Sequence, residues 1–127
     1  MKLQLKNIEL EEGIDKRVLF ECRDETTNLP IDISAHTAIL QVCSAFGNPQ
    51  VILELTSDLE KKQIIMIGSI GIVEVIFDST YSDLDTQSVP WNGLDSAVYD
   101  LILTSPYGQR TKLAKGFITI SRSSTIV

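Results

Sequence analysis

The chain has 127 residues, of which 43% are hydrophobic and 22% charged. This size and composition fit one globular domain and differ from those of disordered chains. The net charge is -6. Because an acidic surface repels phosphate backbones and anionic lipid headgroups, we expect neither nucleic acid nor a membrane surface as a partner. No apolar stretch has the length of a bilayer span, and the first residues lack the apolar core of a signal peptide. We therefore expect a soluble single domain over residues 1–127.

The chain begins with a loose alternation of apolar and polar residues. Leu3, Leu5, Ile8 and Leu10 are the apolar positions. This spacing predicts an opening strand or an extended arm. Both interpretations remain open from the sequence.

The rest of the chain is a series of short apolar runs separated by turn residues, which predicts strands. A turn at Gly68-Ser69, with its glycine at positive φ, is expected to join two of them, and Gly116 is expected to mark a bulge or bend. Residues 78–93 carry no strand signal, although 79–84 could form one helical turn. The predicted strands are 17–23, 37–45, 51–56, 64–67, 70–77, 97–104 and 110–120. About eight or nine short strands predict an all-β sandwich or barrel.

Catalytic and metal-binding motifs are missing from the sequence. The single histidine, His36, lacks a Gly-x-Ser-x-Gly serine elbow as a partner, which makes a hydrolase the weakest alternative. Cys22 and Cys43 lie in apolar patterns and do not have zinc spacing, so we interpret them as buried thiols. Aspartates between 78 and 95 lack the order of a calcium loop. We therefore predict no catalytic residue, metal or cofactor.

Aromatic residues in the long loop allow a further function class. Trp91 and Tyr81, with Tyr107, could stack on sugars, which makes a carbohydrate-binding sandwich an alternative. Trp91 could also pack over the core or anchor an interface. One tryptophan on an acidic chain favours packing or an interface over sugar binding.

The C-terminal part carries motifs in an order that resembles a known class of proteins. Residues 98–103 read Val-Tyr-Asp-Leu-Ile-Leu, a turn with glycine follows at 105–108, and 113–120 read Leu-Ala-Lys-Gly-Phe-Ile-Thr-Ile. A terminal Ser-Arg-Ser-Ser-Thr comes next. This resembles the C-terminal half of small phage and prophage virion proteins, with its Tyr-Asp-Leu strand, turn, Leu-x-x-Gly strand and last Val- or Ile-rich strand.

The earlier part of the chain is similar to the same class. Residues 12–13, before a strand with Phe20, resemble its Gln-Gly-x-x-Phe opening. Residues 29–38 resemble its Pro-Ile-Asp-Leu-Thr-x-Tyr-x-Ala segment. Residues 71–75 resemble its Gly-x-Ile-x-Ile strand, and 80–84 a Thr-x-x-Leu stretch. The resemblance covers nearly the whole chain, and its weight comes from the order of short motifs.

The resemblance implies a fold, a role and partners. The fold is a single Ig-like antiparallel β-sandwich. The role is that of a non-enzymatic virion protein, assembled in the host cytoplasm, which serves as a tail or baseplate adaptor or attaches a fibre or tailspike. A capsid decoration protein or head–tail connector is the alternative within this class. The expected partners are other virion proteins and further copies in a symmetric homo-oligomer.

Two surfaces are candidates for these protein contacts. Strand edges and exposed apolar residues are the features that virion neighbours can pair with. One surface is the N-terminal segment, which could instead be the first strand of the domain, and the other is the long loop. The candidate residues are Leu3, Leu5, Ile8 and Leu10 in the segment, and Tyr81, Leu84, Val89 and Trp91 in the loop.

Overall fold

The computed structural model describes residues 2–11, 14–44, 51–78 and 96–121. These residues form nine strands and one short 3-10 helix, Gly68–Ile70. The predicted strands are confirmed, with ends that differ by a few residues. The candidate loop residues Tyr81, Leu84, Val89 and Trp91, and the helical turn at 79–84, lie outside the described residues. The strands are β1 (Gln4–Leu5), β2 (Ile8–Glu11), β3 (Lys16–Glu21), β4 (Thr37–Cys43), β5 (Val51–Thr56), β6 (Ile64–Ile67), β7 (Ile72–Phe77), β8 (Ser96–Thr104) and β9 (Arg110–Ser121).

The strands form two sheets. The larger has the order β1-β9-β8-β4-β5, with β2 also paired to β9, and the smaller has the order β3-β7-β6. Every described pairing is antiparallel except those of β1 and β2 with β9, which are parallel. The division of strands is that of an immunoglobulin-like sandwich, in which a sheet built on the last two strands faces a sheet of three strands. No helix in the described ranges is long and apolar enough to span a membrane.

The core lies between the two sheets and follows directly from alternation along the strands. In β7, Val73, Val75 and Phe77 are buried, whereas the residues between them are half-buried on the opposite face. This arrangement of β7 confirms the prediction. Across the core, the Phe20 and Tyr99 rings lie 6.2 Å apart between centroids at 60°, a favourable tilted geometry. Among the described residues the buried set is entirely apolar or aromatic. Burial of such side chains, at about 1.5–3 kcal/mol each, is the main stabilising contribution.

The link between β6 and β7 differs from its predicted form. It is a 3-10 turn, and the left-handed glycine is Gly71 (φ 69°), not Gly68. Gly71 donates its N–H to the Gly68 carbonyl at 3.2 Å. Gly68 instead packs against the backbone of Ser34, where a Cβ would not fit. A tight turn through Gly68 and Ser69 is therefore present, but the positive φ was predicted at the wrong glycine, because a tertiary contact and not the turn requires Gly68.

The irregularity in β9 is also displaced from the predicted position. Leu101 pairs with Ala114 and the next β8 residue, Ile102, pairs with Lys112. Leu113 is therefore the extra residue of the bulge, so that Leu113 and Ala114 are both buried in succession. The prediction of a bulge at Gly116 was wrong, and Gly116 has a different role, described below.

Candidate protein-interaction surface

The N-terminal segment is a single parallel strand interrupted at its centre. Gln4 pairs with Ala114 and Ile8 with Ile118, so β1 and β2 keep the same register along β9. Between them, Lys6 donates its N–H to the Lys115 carbonyl at 3.1 Å. The ladder between Lys6 and Ile8 is then continued by a side chain, because Asn7 Oδ1 accepts the N–H of Phe117 at 3.1 Å.

The interruption is held by a buried tyrosine and a glycine. The hydroxyl of Tyr99 donates to the Lys6 carbonyl at 2.5 Å. Gly116 lies against the same carbonyl, and a Cβ on it would lie 2.8 Å from the Lys6 carbonyl carbon. Burial, with a smaller contribution from the Asp100 charge, raises the pKa of Tyr99 to about 12. The phenol is therefore a neutral donor at physiological pH, and it fixes the strand through its carbonyl.

This register divides the candidate residues of the N-terminal segment into two groups. Side chains alternate along a strand, so even-numbered residues point inward and odd-numbered ones outward. Ile8 and Leu10 are 2% and 5% exposed and belong to the core. Leu3 and Leu5 are 39% and 76% exposed. The prediction of an interface was therefore wrong for Ile8 and Leu10, whose segment is the first strand of the domain, whereas Leu3 and Leu5 are accessible.

The exposed leucines are accompanied by an aromatic side chain that the sequence analysis missed. Phe117 is 52% exposed on the outer face of β9. It lines one groove together with Leu5, Asn7 and Lys115. We call Leu5 and Phe117 the Leu5–Phe117 patch. The alternation of β9, in which Ile118 and Ile120 point inward, could have revealed Phe117 as an outward aromatic residue.

Near the patch, the free edge of β3 is covered by side chains of the N-terminal segment. Lys6 Nζ donates to the Leu19 carbonyl at 2.8 Å, and Gln4 Nε2 to the Glu21 carbonyl at 2.7 Å. The Lys6 ammonium also lies 5.1 Å from the centroid of the Phe20 ring, within the range of a cation–π contact. These side chains cover the free edge of β3. A partner at this end of the molecule would therefore bind the apolar face of β1 and β9.

The histidine and the cysteines that were considered as reactive groups differ in their surroundings. Nδ1 of the half-buried His36 has no hydrogen-bond partner within the described parts of the chain. The neighbouring carboxylate of Asp32 accepts the hydroxyl and the N–H of Ser34, at 2.5 and 2.9 Å, and these bonds lower its pKa. Cys22 and Cys43 are free thiols, and burial raises the pKa of Cys22 to about 11. The described residues contain no group of three or more potential metal ligands.

Comparisons with known proteins found structural likeness but no family. No family model matches the chain, and no curated protein does. Extracellular domains 3–5 of Drosophila OTK are similar in structure with a TM-score of 0.35 and 11% sequence identity. The match covers 90% of this chain and 32% of the OTK chain, so this chain spans about a third of the length of the OTK chain. The immunoglobulin-like description therefore stands on the strand order given above.

Proposed function

We propose that this chain is a non-enzymatic structural protein of a bacteriophage particle. Its role is that of a tail or baseplate adaptor, or of an attachment point for a fibre or tailspike, and it acts through contacts with other virion proteins. Its location is the virion, after assembly in the host cytoplasm. The order of sequence motifs along nearly the whole chain supports the virion part of the proposal.

The observation that supports a docking function is the Leu5–Phe117 patch. Leu5 and Phe117 are two large apolar side chains exposed together in one groove, and contiguous apolar patches of this kind mark interaction sites. The N-terminal segment beneath the patch is fixed to the domain by two hydrogen bonds. The Tyr99 hydroxyl donates to the Lys6 carbonyl at 2.5 Å, and the Phe117 N–H donates to Asn7 Oδ1 at 3.1 Å. A partner would therefore meet a preorganised surface and lose little entropy on binding.

The first experiment is immunogold electron microscopy of phage particles with an antibody raised against the purified domain. Label at the tail or baseplate would support the adaptor role. Label over the head would favour the alternative of a decoration or connector protein. Absence of the chain from both intact and dissociated particles, checked by immunoblot, would refute the virion role.

A second experiment tests the patch itself. Particles are assembled with Leu5→Ser and Phe117→Ser combined in the chain, and its incorporation is measured by quantitative immunoblot. The matched control is Tyr107→Ser, because Tyr107 is 97% exposed on the β8–β9 turn, away from the patch. We expect the double variant to be lost from particles and the control to be retained. Equal incorporation of both would show that the patch does not dock the protein.

A further inference from the structure

We propose that the Leu5–Phe117 patch binds a segment of another virion protein in which an apolar side chain lies next to a carboxylate. The apolar side chain lies between Leu5 and Phe117, and the carboxylate pairs with the ammonium of Lys115. This inference rests on the proposed docking function and names the chemistry of the partner at the same site. It can fail while the docking function holds, because it concerns only the charge of the partner.

The groove between Leu5 and Phe117 has the size of a site for one or two side chains. Its volume is about 330 Å³, at the lower end of the range for small-ligand sites. The two apolar side chains form its walls, and Asn7, Lys115 and Gly116 complete it. Among the described residues that line the groove, Lys115 is therefore the only charged one. An apolar group that carries a single negative charge matches these walls.

The bulge in β9 places two lysines on the outer side of the sheet. Leu113 and Ala114 are both buried at the bulge, so Lys112 and Lys115 both lie on the outer side. Asp100 is the register partner of Lys115 on β8. Its carboxylate instead forms an ion pair with Lys112, whose Nζ lies 3.2 Å from Oδ1. The neighbouring acidic group is therefore engaged by the other lysine.

The ammonium of Lys115 is available to a partner. It forms no hydrogen bond or ion pair with any residue that the structure describes. Lys115 is half-buried, and an ion pair in a partly desolvated groove is stronger than one in bulk water. The net charge of -6 opposes a second copy of this chain as the occupant, so the carboxylate belongs to a different protein.

The first test uses two small probes that differ in charge. They are phenylacetate, which joins an apolar ring to a carboxylate, and phenylacetamide, its neutral counterpart. Each is titrated at millimolar concentrations into the isotope-labelled full chain and followed by NMR. We expect phenylacetate to shift the backbone amide signals of Leu5, Lys115 and Phe117, with an affinity about five-fold higher than that of phenylacetamide. High salt should remove the difference, because it screens the ion pair.

Equal affinities of the two probes, or no shift of these three signals, would overturn the proposal. Lys115→Gln should abolish the preference for phenylacetate, whereas Lys115→Arg, which keeps the charge, should retain it. The matched control is Lys61→Gln, which removes an exposed lysine from the link between β5 and β6. It should leave both affinities unchanged. A preference that persists in Lys115→Gln would show that this lysine does not recognise the carboxylate.

Incorporation into phage particles separates this inference from the docking function. Lys115→Glu should lower incorporation of the chain as strongly as the combined Leu5→Ser and Phe117→Ser changes, because it repels an acidic partner. Lys115→Arg and the control Lys61→Glu should be incorporated like wild type. Loss of the double variant with full retention of Lys115→Glu would refute the acidic partner and leave the docking function standing. Full retention of both would refute the docking function as well.

Discussion

Gly116→Ala tests how the first strand is attached to the domain. The φ angle of Gly116 is not in the left-handed region, so alanine is acceptable to the backbone and the effect is steric. The new Cβ would lie 2.8 Å from the Lys6 carbonyl carbon and 3.1 Å from Asn7 Oδ1. The backbone at Lys6 must therefore move away from β9.

The cost of that movement can be worked out from the contacts. Overpacking costs about 1–3 kcal/mol. The contacts at risk are the Tyr99–Lys6, Lys6–Lys115 and Asn7–Phe117 hydrogen bonds, each worth about 0.5–1.5 kcal/mol. We expect the free energy of unfolding to fall by about 2–4 kcal/mol. For a chain of this size the midpoint of thermal unfolding would then fall by roughly 6–15 °C.

The assay is urea and thermal unfolding, combined with hydrogen exchange of the Phe117 amide. This amide is bonded to Asn7 Oδ1, so it should lose protection in Gly116→Ala. The control is Gly108→Ala, where the added Cβ meets nothing within 4 Å and only the positive φ of 86° opposes the change. It should cost about 1–2 kcal/mol and leave Phe117 protected. An unfolding free energy within about 0.5 kcal/mol of wild type, with Phe117 still protected, would refute the close-approach argument.

Three further predictions concern titration, thiol reactivity and burial. Burial raises the pKa of Tyr99 from 10.0 to about 12, so the neutral phenol stabilises the fold fully below pH 10, and this stabilisation is lost as the pH rises towards 12. Tyr99→Phe should lower the free energy of unfolding by about 1 kcal/mol at pH 7. In urea unfolding, the variant should also lose less stability than wild type between pH 10 and pH 12. An unchanged alkaline slope would contradict the burial of the phenol. The half-buried Cys43 should react with a thiol reagent in the native protein, whereas the buried Cys22, with its pKa raised to about 11, should react only on unfolding. Equal rates of modification of the two thiols in the native protein would contradict this order. Ile8→Ala should lower the free energy of unfolding by about 2–5 kcal/mol, because Ile8 is buried, and Leu5→Ala by less than about 0.5 kcal/mol, because Leu5 is exposed. Similar losses for the two variants in chemical denaturation would refute the assigned register.

Local pattern predicted the strands well. Period-two alternation in β7 correctly placed Val73, Val75 and Phe77 on the buried face. Turn residues between the apolar runs separated nearly all the strands at about the right positions. These predictions succeed because a half-buried strand requires apolar side chains at every second position, which is a property of consecutive residues.

The predictions for individual glycines failed for a different reason. A glycine within a strand is consistent with a bulge, a bend or a close backbone approach. At Gly116 the close neighbour is Lys6, 110 positions earlier in the chain, and at Gly68 it is Ser34. No local pattern carries that information, so the sequence could not distinguish these cases.

The candidate surface likewise combines features that the sequence predicts with features that only the tertiary structure decides. Composition and alternation by themselves determined an all-β domain with an apolar N-terminal segment. Only the tertiary structure decided that this segment runs parallel to β9, which buries Ile8 and Leu10 and leaves Leu5 exposed beside Phe117. The physical reason is that alternation defines two faces of a strand, whereas the burial of either face depends on the partner strand and the sheet packed against it.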